Sequence, residues 1–192
     1  AKNIHRLDYT YLTSVMAHDQ SGLYVLPSPI NVQDELRVGP DIVSNLLLEM
    51  KSMFDFVVVD AGQSMDYYAK AVLKISDLTL IVTLLTLPCL INVKRILDTF
   101  ARMGYPAEDQ TIVLVNRFLK RSIISEEEAA KSLQKPIFMN IPNDFQNTMG
   151  AINHGRPLTS QSPRAEITER FRELAIRISG AGSKKKGILS WR

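Results

Sequence analysis

The stretch Phe54–Asp66, FDFVVVDAGQSMD, constrains the fold more than any other part of the chain. Phe56, Val57, Val58 and Val59 follow one another without polar alternation, the pattern of a strand covered on both faces inside a parallel sheet. The run then stops at a carboxylate. Asp60 is expected at the C-terminal end of that strand, the edge at which open α/β sheets bind ligands, and Ala61-Gly62 is expected to turn so that backbone can approach a bound group. Two readings of the stretch stand side by side: a ligand-bearing strand end, and an ordinary buried strand closed by a solvated aspartate.

A parallel sheet needs a crossover between strands, and the chain supplies one each time. An amphipathic helix is expected over His5–Met16, then a strand over Leu23–Leu26 ended by Pro27 and Pro29. Pro40 opens a helix with Ile42, Val43, Leu46, Leu47 and Met50 on one side, ahead of the Phe56–Asp60 strand. Tyr68, Ala69, Val72 and Leu73 recur at helical spacing in Met65–Ile75, and a third strand follows over Leu78–Leu85. Pro88 starts a helix that Gly104 ends; Thr111–Asn116 is the fourth strand. Ser125 and Glu128 predict a capping box for the helix holding Ala129, Ala130 and Leu133. PIFMNIP is the fifth strand, and Asn143-Asp144 caps a helix running to Asn153. After Gly155 and Pro157, a last helix over Pro163–Ile178 is expected to bury Ile167, Phe171, Leu174, Ala175 and Ile178. The fold class is therefore α/β, a doubly wound and mostly parallel sheet, with residues 1–180 as one domain and 181–192 as a basic flexible tail.

Composition narrows the class of partner. Of 23 basic residues, Lys184, Lys185, Lys186 and Arg192 lie in the tail, which leaves 19 against 20 acidic residues. The net charge of +3 thus belongs to the tail, and no specific nucleic-acid face is expected on the body. No apolar run approaches the ~20 residues of a membrane span, and the first residues lack a signal-peptide core, so a cytoplasmic location is expected. Cys89 cannot form an internal disulfide, and the three histidines, His5, His18 and His154, form no metal pattern. No GxSxG elbow is present, and the acidic pair and strand-end lysine of a receiver domain are not evident around Asp60.

The chemistry is expected on the loops after the strands. Asp60 follows the second, Asn116-Arg117 the fourth, and Pro142-Asn143-Asp144 the fifth, all along one sheet edge. An aspartate there suits a magnesium ion held through its water shell, and an asparagine amide, both donor and acceptor, suits the edge of a purine. Asn116 could equally satisfy a turn, and Asn143 with Asp144 could be an N-cap and no more.

The series FDFVVVDAG, SDLTLIVTLLTLPCLINVKRILDTF, IVLVNR and FMNIPNDFQNTMGAINHGRPL resembles the MinD/ParA family of deviant-Walker ATPases, most closely its pilus-assembly branch of the CpaE/TadZ type. The resemblance runs from about Leu23 to Ile178. It implies a P-loop NTPase fold, binding of ATP with Mg²⁺, slow hydrolysis, a nucleotide-dependent homodimer, and partners in pilus or secretion assembly. By the same likeness Asp60 takes the Walker B position at the metal, Gly62 begins switch II, and Asn116, Pro142, Asn143 and Asp144 hold the adenine.

The family's glycine-rich loop, KGGxGKT, is absent from these residues, and GAGSKKKG at Gly180–Gly187 does not follow a strand. Either that segment, with the first strand, lies in the natural protein upstream of His5, or the product is truncated and has become a non-catalytic interaction scaffold. The residues at hand are not expected to hydrolyse ATP by themselves, because phosphoryl transfer depends on the phosphate cradle. Where MinD-type proteins carry Pro-Ala-Gly after the Walker B aspartate, this chain reads Ala61-Gly62-Gln63-Ser64, so weak hydrolysis is expected. The tail, GAGSKKKGILSWR, is similar to the membrane-targeting tail of MinD and, with three lysines beside Ile188, Leu189 and Trp191, is suited either to an anionic membrane surface or to a solvated end.

Overall fold

A computed structural model describes residues 9–19, 21–27 and 39–180. The chain forms two compact units, Ala1–Asp77 and Leu78–Arg192. His5 and the basic tail beyond Gly180 lie outside the described residues, as does the first part of the expected His5–Met16 helix.

The first unit is mainly helical. Helix α1 (Tyr9–Val15) leads into β1 (Ala17–His18), which pairs antiparallel with β2 (Tyr24–Val25). The sequence reading placed Leu23–Leu26 in the parallel sheet. A tight turn decides otherwise: Gly22, at φ +88°, donates its N–H to Asp19 O, and Asp19 N–H reaches Leu23 O at 2.9 Å, folding the chain back on itself. Helix α2 (Pro40–Met53) begins with proline at its first turn, where no amide hydrogen is needed. Its Leu47 and Met50 pack with Leu12, Met16 and Val72, the last from α3 (Tyr67–Ile75). Lys51 Nζ donates to Ile75 O at 3.0 Å and to Asp77 at 2.9 Å, placing a cation on the C-terminal carbonyls of α3.

Between α2 and α3 the expected strand is not formed. Residues 56–60 carry no regular secondary structure and join no ladder among the described residues. Val57 packs against the Leu47–Met50 cluster, whereas Phe56 and Val58 are exposed, Val58 at 94%. Val59 is exposed as well, so of the four apolar residues only Val57 is covered, and partly. An unbroken apolar run reports hydrophobicity; it cannot supply the neighbour whose N–H and C=O groups make a strand.

The second unit carries the parallel sheet, in order β3 (Thr79–Thr83), β4 (Thr111–Phe118), β5 (Ile137–Pro142). Helix α4 (Leu87–Met103) connects the first pair and packs on β3 through a face that includes Leu90, Val93 and Phe100; Gly104, at φ +73°, closes it. Helix α5 (Glu126–Leu133) connects the second pair. Its capping box is complete, with Ser125 Oγ accepting Glu128 N–H and the Glu128 carboxylate accepting Ser125 N–H. Helices α6 (Phe145–Asn153), α7 (Leu158–Gln161) and α8 (Glu166–Ser179) follow, and α8 packs on β5. Val113 and Val115 have no solvent exposure, and Leu114, Met139, Ile141, Ile167 and Leu174 form a core between sheet and α8.

Two residues of α8 expected in the core, Phe171 and Ala175, are exposed. Phe171 is 43% exposed, on the flank of the helix, and the buried position beside Ile167 is taken by Thr168, whose hydroxyl donates to Ser162 O at 2.6 Å. β3 is covered on one face only: Ile81 and Thr83 are buried while Leu80 and Val82 are exposed. No helix among the described residues is long and apolar enough to cross a membrane.

Candidate functional site

The C-terminal ends of β4 and β5 are adjacent, and their geometry departs from a regular ladder at the residues singled out by sequence. Val115 pairs with Asn140 and Phe118 with Pro142, so Asn116 and Arg117 together oppose Ile141 alone. This is a β-bulge, uncommon between parallel strands and a known means of re-aiming side chains beside active sites. Arg117 takes up the extra residue at φ +49°, a left-handed conformation that costs a non-glycine residue about 1–2 kcal/mol. The Asn116 carboxamide offsets that cost by accepting Arg117 N–H on Oδ1 at 2.9 Å.

Beyond the bulge the two loops are joined by Asn143 N–H donating to Phe118 O at 3.1 Å. Pro142 ends β5, and Asp144 caps α6. Asp144 Oδ1 accepts Asn147 N–H at 3.1 Å and Oδ2 accepts Asn147 Nδ2 at 2.7 Å; Ser162 Oγ then donates to Asn147 Oδ1 at 2.6 Å. Asn116, Pro142, Asn143 and Asp144 are thus brought to one end of the sheet. Of the two alternatives left open, Asp144 is an N-cap with both carboxylate oxygens engaged, whereas Asn116 lies within β4 and accepts the N–H of the bulge residue Arg117 in place of a turn.

Asp60 and Gly62 belong to the first unit. Asp60 is exposed, and its Oδ1 accepts Gly62 N–H at 3.0 Å, with Gly62 at φ +68°. One carboxylate oxygen serves the turn and Oδ2 has no partner among the described residues. A single free carboxylate oxygen fits a magnesium ion that keeps most of its waters, and no group of three or more metal-ligating side chains occurs among the described residues.

Sequence reasoning missed three features. Asp66 caps α3 by accepting Ala69 N–H at 2.9 Å, and its Oδ2 accepts the Ser64 hydroxyl at 2.6 Å. The Ser64 hydrogen bond first, then that of Ala69 N–H, hold its carboxyl below the usual aspartate range. Ser64-x-Asp66 before a helical run was a legible cap signal. Asn140, on β5, donates through Nδ2 to Glu126 at the start of α5, while its Oδ1 is buried without a partner. The third is the left-handed Arg117, for which arginine gives no local signal.

No family model matches the chain. The septum site-determining protein MinD of Bacillus subtilis is 23% identical over 161 residues, covering 82% of this chain and 59% of that protein. An uncharacterised ATP-binding protein of Methanocaldococcus jannaschii is 20% identical, covering 84% of this chain and 60% of its own length. The chain therefore spans about three fifths of the curated relatives it matches. Among solved structures, a ParA family ATPase from Chlorobium tepidum is similar with a TM-score of 0.87 at 25% identity, covering 91% of this chain and 72% of that one. MinD of Pyrococcus horikoshii, complexed with Mg-ADP, gives 0.75 at 19% identity, covering 92% and 72%. The fold is that of the ParA/MinD ATPases.

Proposed function

We propose that this chain carries the base-binding and magnesium-side parts of a MinD/ParA-type ATPase that positions a pilus or secretion assembly through nucleotide-dependent dimerisation. The observation that carries the reading is the gathering of Asn116, Pro142 and Asn143 at adjacent strand ends, in a fold that matches a ParA family ATPase at a TM-score of 0.87. Open α/β sheets bind ligands at that edge.

In this reading Asn116 and the Pro142–Asn143 loop hold the adenine, and Asp144 shapes the loop by capping α6 without giving a carboxylate to the base. Asp60 holds magnesium through water, and Gly62 opens the switch segment. The bound Mg-ATP supplies the phosphoryl group and the charge that bridges two subunits. A glycine-rich phosphate loop comes from a further strand of the same protein. The outer edge of β3, unpaired among the described residues, supports that strand. MinD of Aquifex aeolicus, whose solved complex with MinC matches this chain at a TM-score of 0.74, sets the precedent for a protein partner on this fold.

Light scattering of the complete protein tests the cycle. A shift from monomer to dimer with Mg-ATP, reversed as phosphate is released, is the expected result. A mass unchanged by nucleotide would favour the second reading, a scaffold in which Asp60 is a turn residue and Asp144 a helix cap.

A further inference from the structure

Between β4 and α5 the chain presents Arg117, Leu119, Lys120, Arg121 and Ile123 to solvent, the last of them completely exposed. The segment is a hydrogen-bonded turn. Ser122 N–H and Ser122 Oγ both donate to Leu119 O, at 3.1 and 2.7 Å, which places Lys120 and Arg121 at the two corners. Both feet are anchored, one by Asn143 N–H donating to Phe118 O and the other by the Ser125–Glu128 capping box. Display of the tip therefore needs little further ordering of the chain.

Charge sets this tip apart from the rest of the body. Arg117, Lys120 and Arg121 form no ion pair among the described residues. Of the acidic residues that follow, Glu126 accepts Asn140 Nδ2 and Glu128 closes the capping box, while Glu127 is exposed on α5. Three cations and two bare aliphatic side chains thus share one short convex segment.

We propose that this turn is a membrane-surface contact: Arg117, Lys120 and Arg121 meet the phosphates of anionic lipids, and Leu119 and Ile123 enter the layer between headgroups and acyl chains. Each half of the combination disfavours a different partner. Nucleic acid would take the cations, but its backbone has no place for two aliphatic side chains, and no aromatic ring is exposed in the segment for a base to stack on. A groove that holds a peptide is concave, whereas the corners of a turn are convex. An anionic bilayer answers both halves, because it is negatively charged and yields to an inserted side chain.

Flotation of the complete protein with phosphatidylcholine vesicles, with and without about one third phosphatidylglycerol, tests the contact. Preference for the anionic vesicles, weakening as salt is added, is the expected result. Lys120→Gln combined with Arg121→Gln is expected to lower the partition coefficient roughly 10- to 30-fold, and Ile123→Ser to lower it roughly 10-fold, both with the thermal midpoint unchanged because these side chains are exposed. Glutamine at Lys184, Lys185 and Lys186 separates the tail, and the turn variants are expected to keep their fold effects in that background. Binding that is lost with the tail substitutions and untouched by the turn variants would overturn the proposal in favour of the tail. Ile123→Ser binding as the wild type does, with a short DNA duplex held more tightly than anionic vesicles, would overturn it in favour of nucleic acid. Failure of the wild type to float with anionic vesicles would overturn it outright.

Discussion

Both oxygens of the Asp144 carboxylate are taken by Asn147, one by its backbone N–H and one by its side-chain amide. Asp144 therefore acts on the start of α6. Its replacement by alanine is expected to cost about 1 kcal/mol, and Asp144→Ser or Asp144→Asn to recover most of that, as measured by urea unfolding. The link from Asn147 to Ser162 extends the effect toward α8, so the loss should register in protection of amides across residues 145–162 against hydrogen exchange.

Asp66 makes stability depend on pH in a defined sense. Its carboxyl is held below the usual aspartate range by Ser64 Oγ and Ala69 N–H, so in acid the unfolded chain takes up its proton first. The contribution is complete above the unfolded value, near 3.9, and fades as pH falls from there through the lower folded value. Asp66→Asn keeps a capping oxygen without the titration. Acid unfolding curves for the two proteins are expected to converge toward the lowest pH and separate above about pH 4, with the wild type more stable.

Leu174 and Phe171 share a helix face by spacing and differ in what they meet. Leu174 lies in the core against Met139 and Ile141, whereas Phe171 is 43% exposed. Leu174→Ala is expected to cost about 2–5 kcal/mol and Phe171→Ala less than about 1.5 kcal/mol, read from denaturant midpoints at constant slope.

The parallel sheet of the second unit was legible because its signals are local and agree with one another. Thr111–Asn116 is apolar and β-branched, Pro88 and Gly104 bracket α4, and the Ser125–Glu128 box forms as written. What could not be read depends on partners distant in sequence. Phe56–Val59 has a strand's composition, but a ladder needs a neighbour, and Val58 stands exposed. Leu23–Leu26 is equally strand-like, and the turn at Gly22 claims it for an antiparallel pair. At the candidate site, residue types at strand ends identified Asn116 and the Pro142–Asp144 loop. They could not identify the bulge, because the left-handed state of Arg117 is imposed by the Val115–Asn140 and Phe118–Pro142 pairs on either side of it.

The central proposal is that Asn116, near the end of β4, contacts a nucleotide and that Asp60, in the loop ahead of α3, contacts its magnesium. Calorimetric titration of the complete protein with Mg-ATP, alongside Asn116→Ala and Asp60→Ala, tests it most directly. Binding by the wild type that falls at least about 10-fold in Asn116→Ala, with Asp60→Ala losing the magnesium dependence, is the expected result. Mg-ATP binding that both variants retain in full would contradict the account.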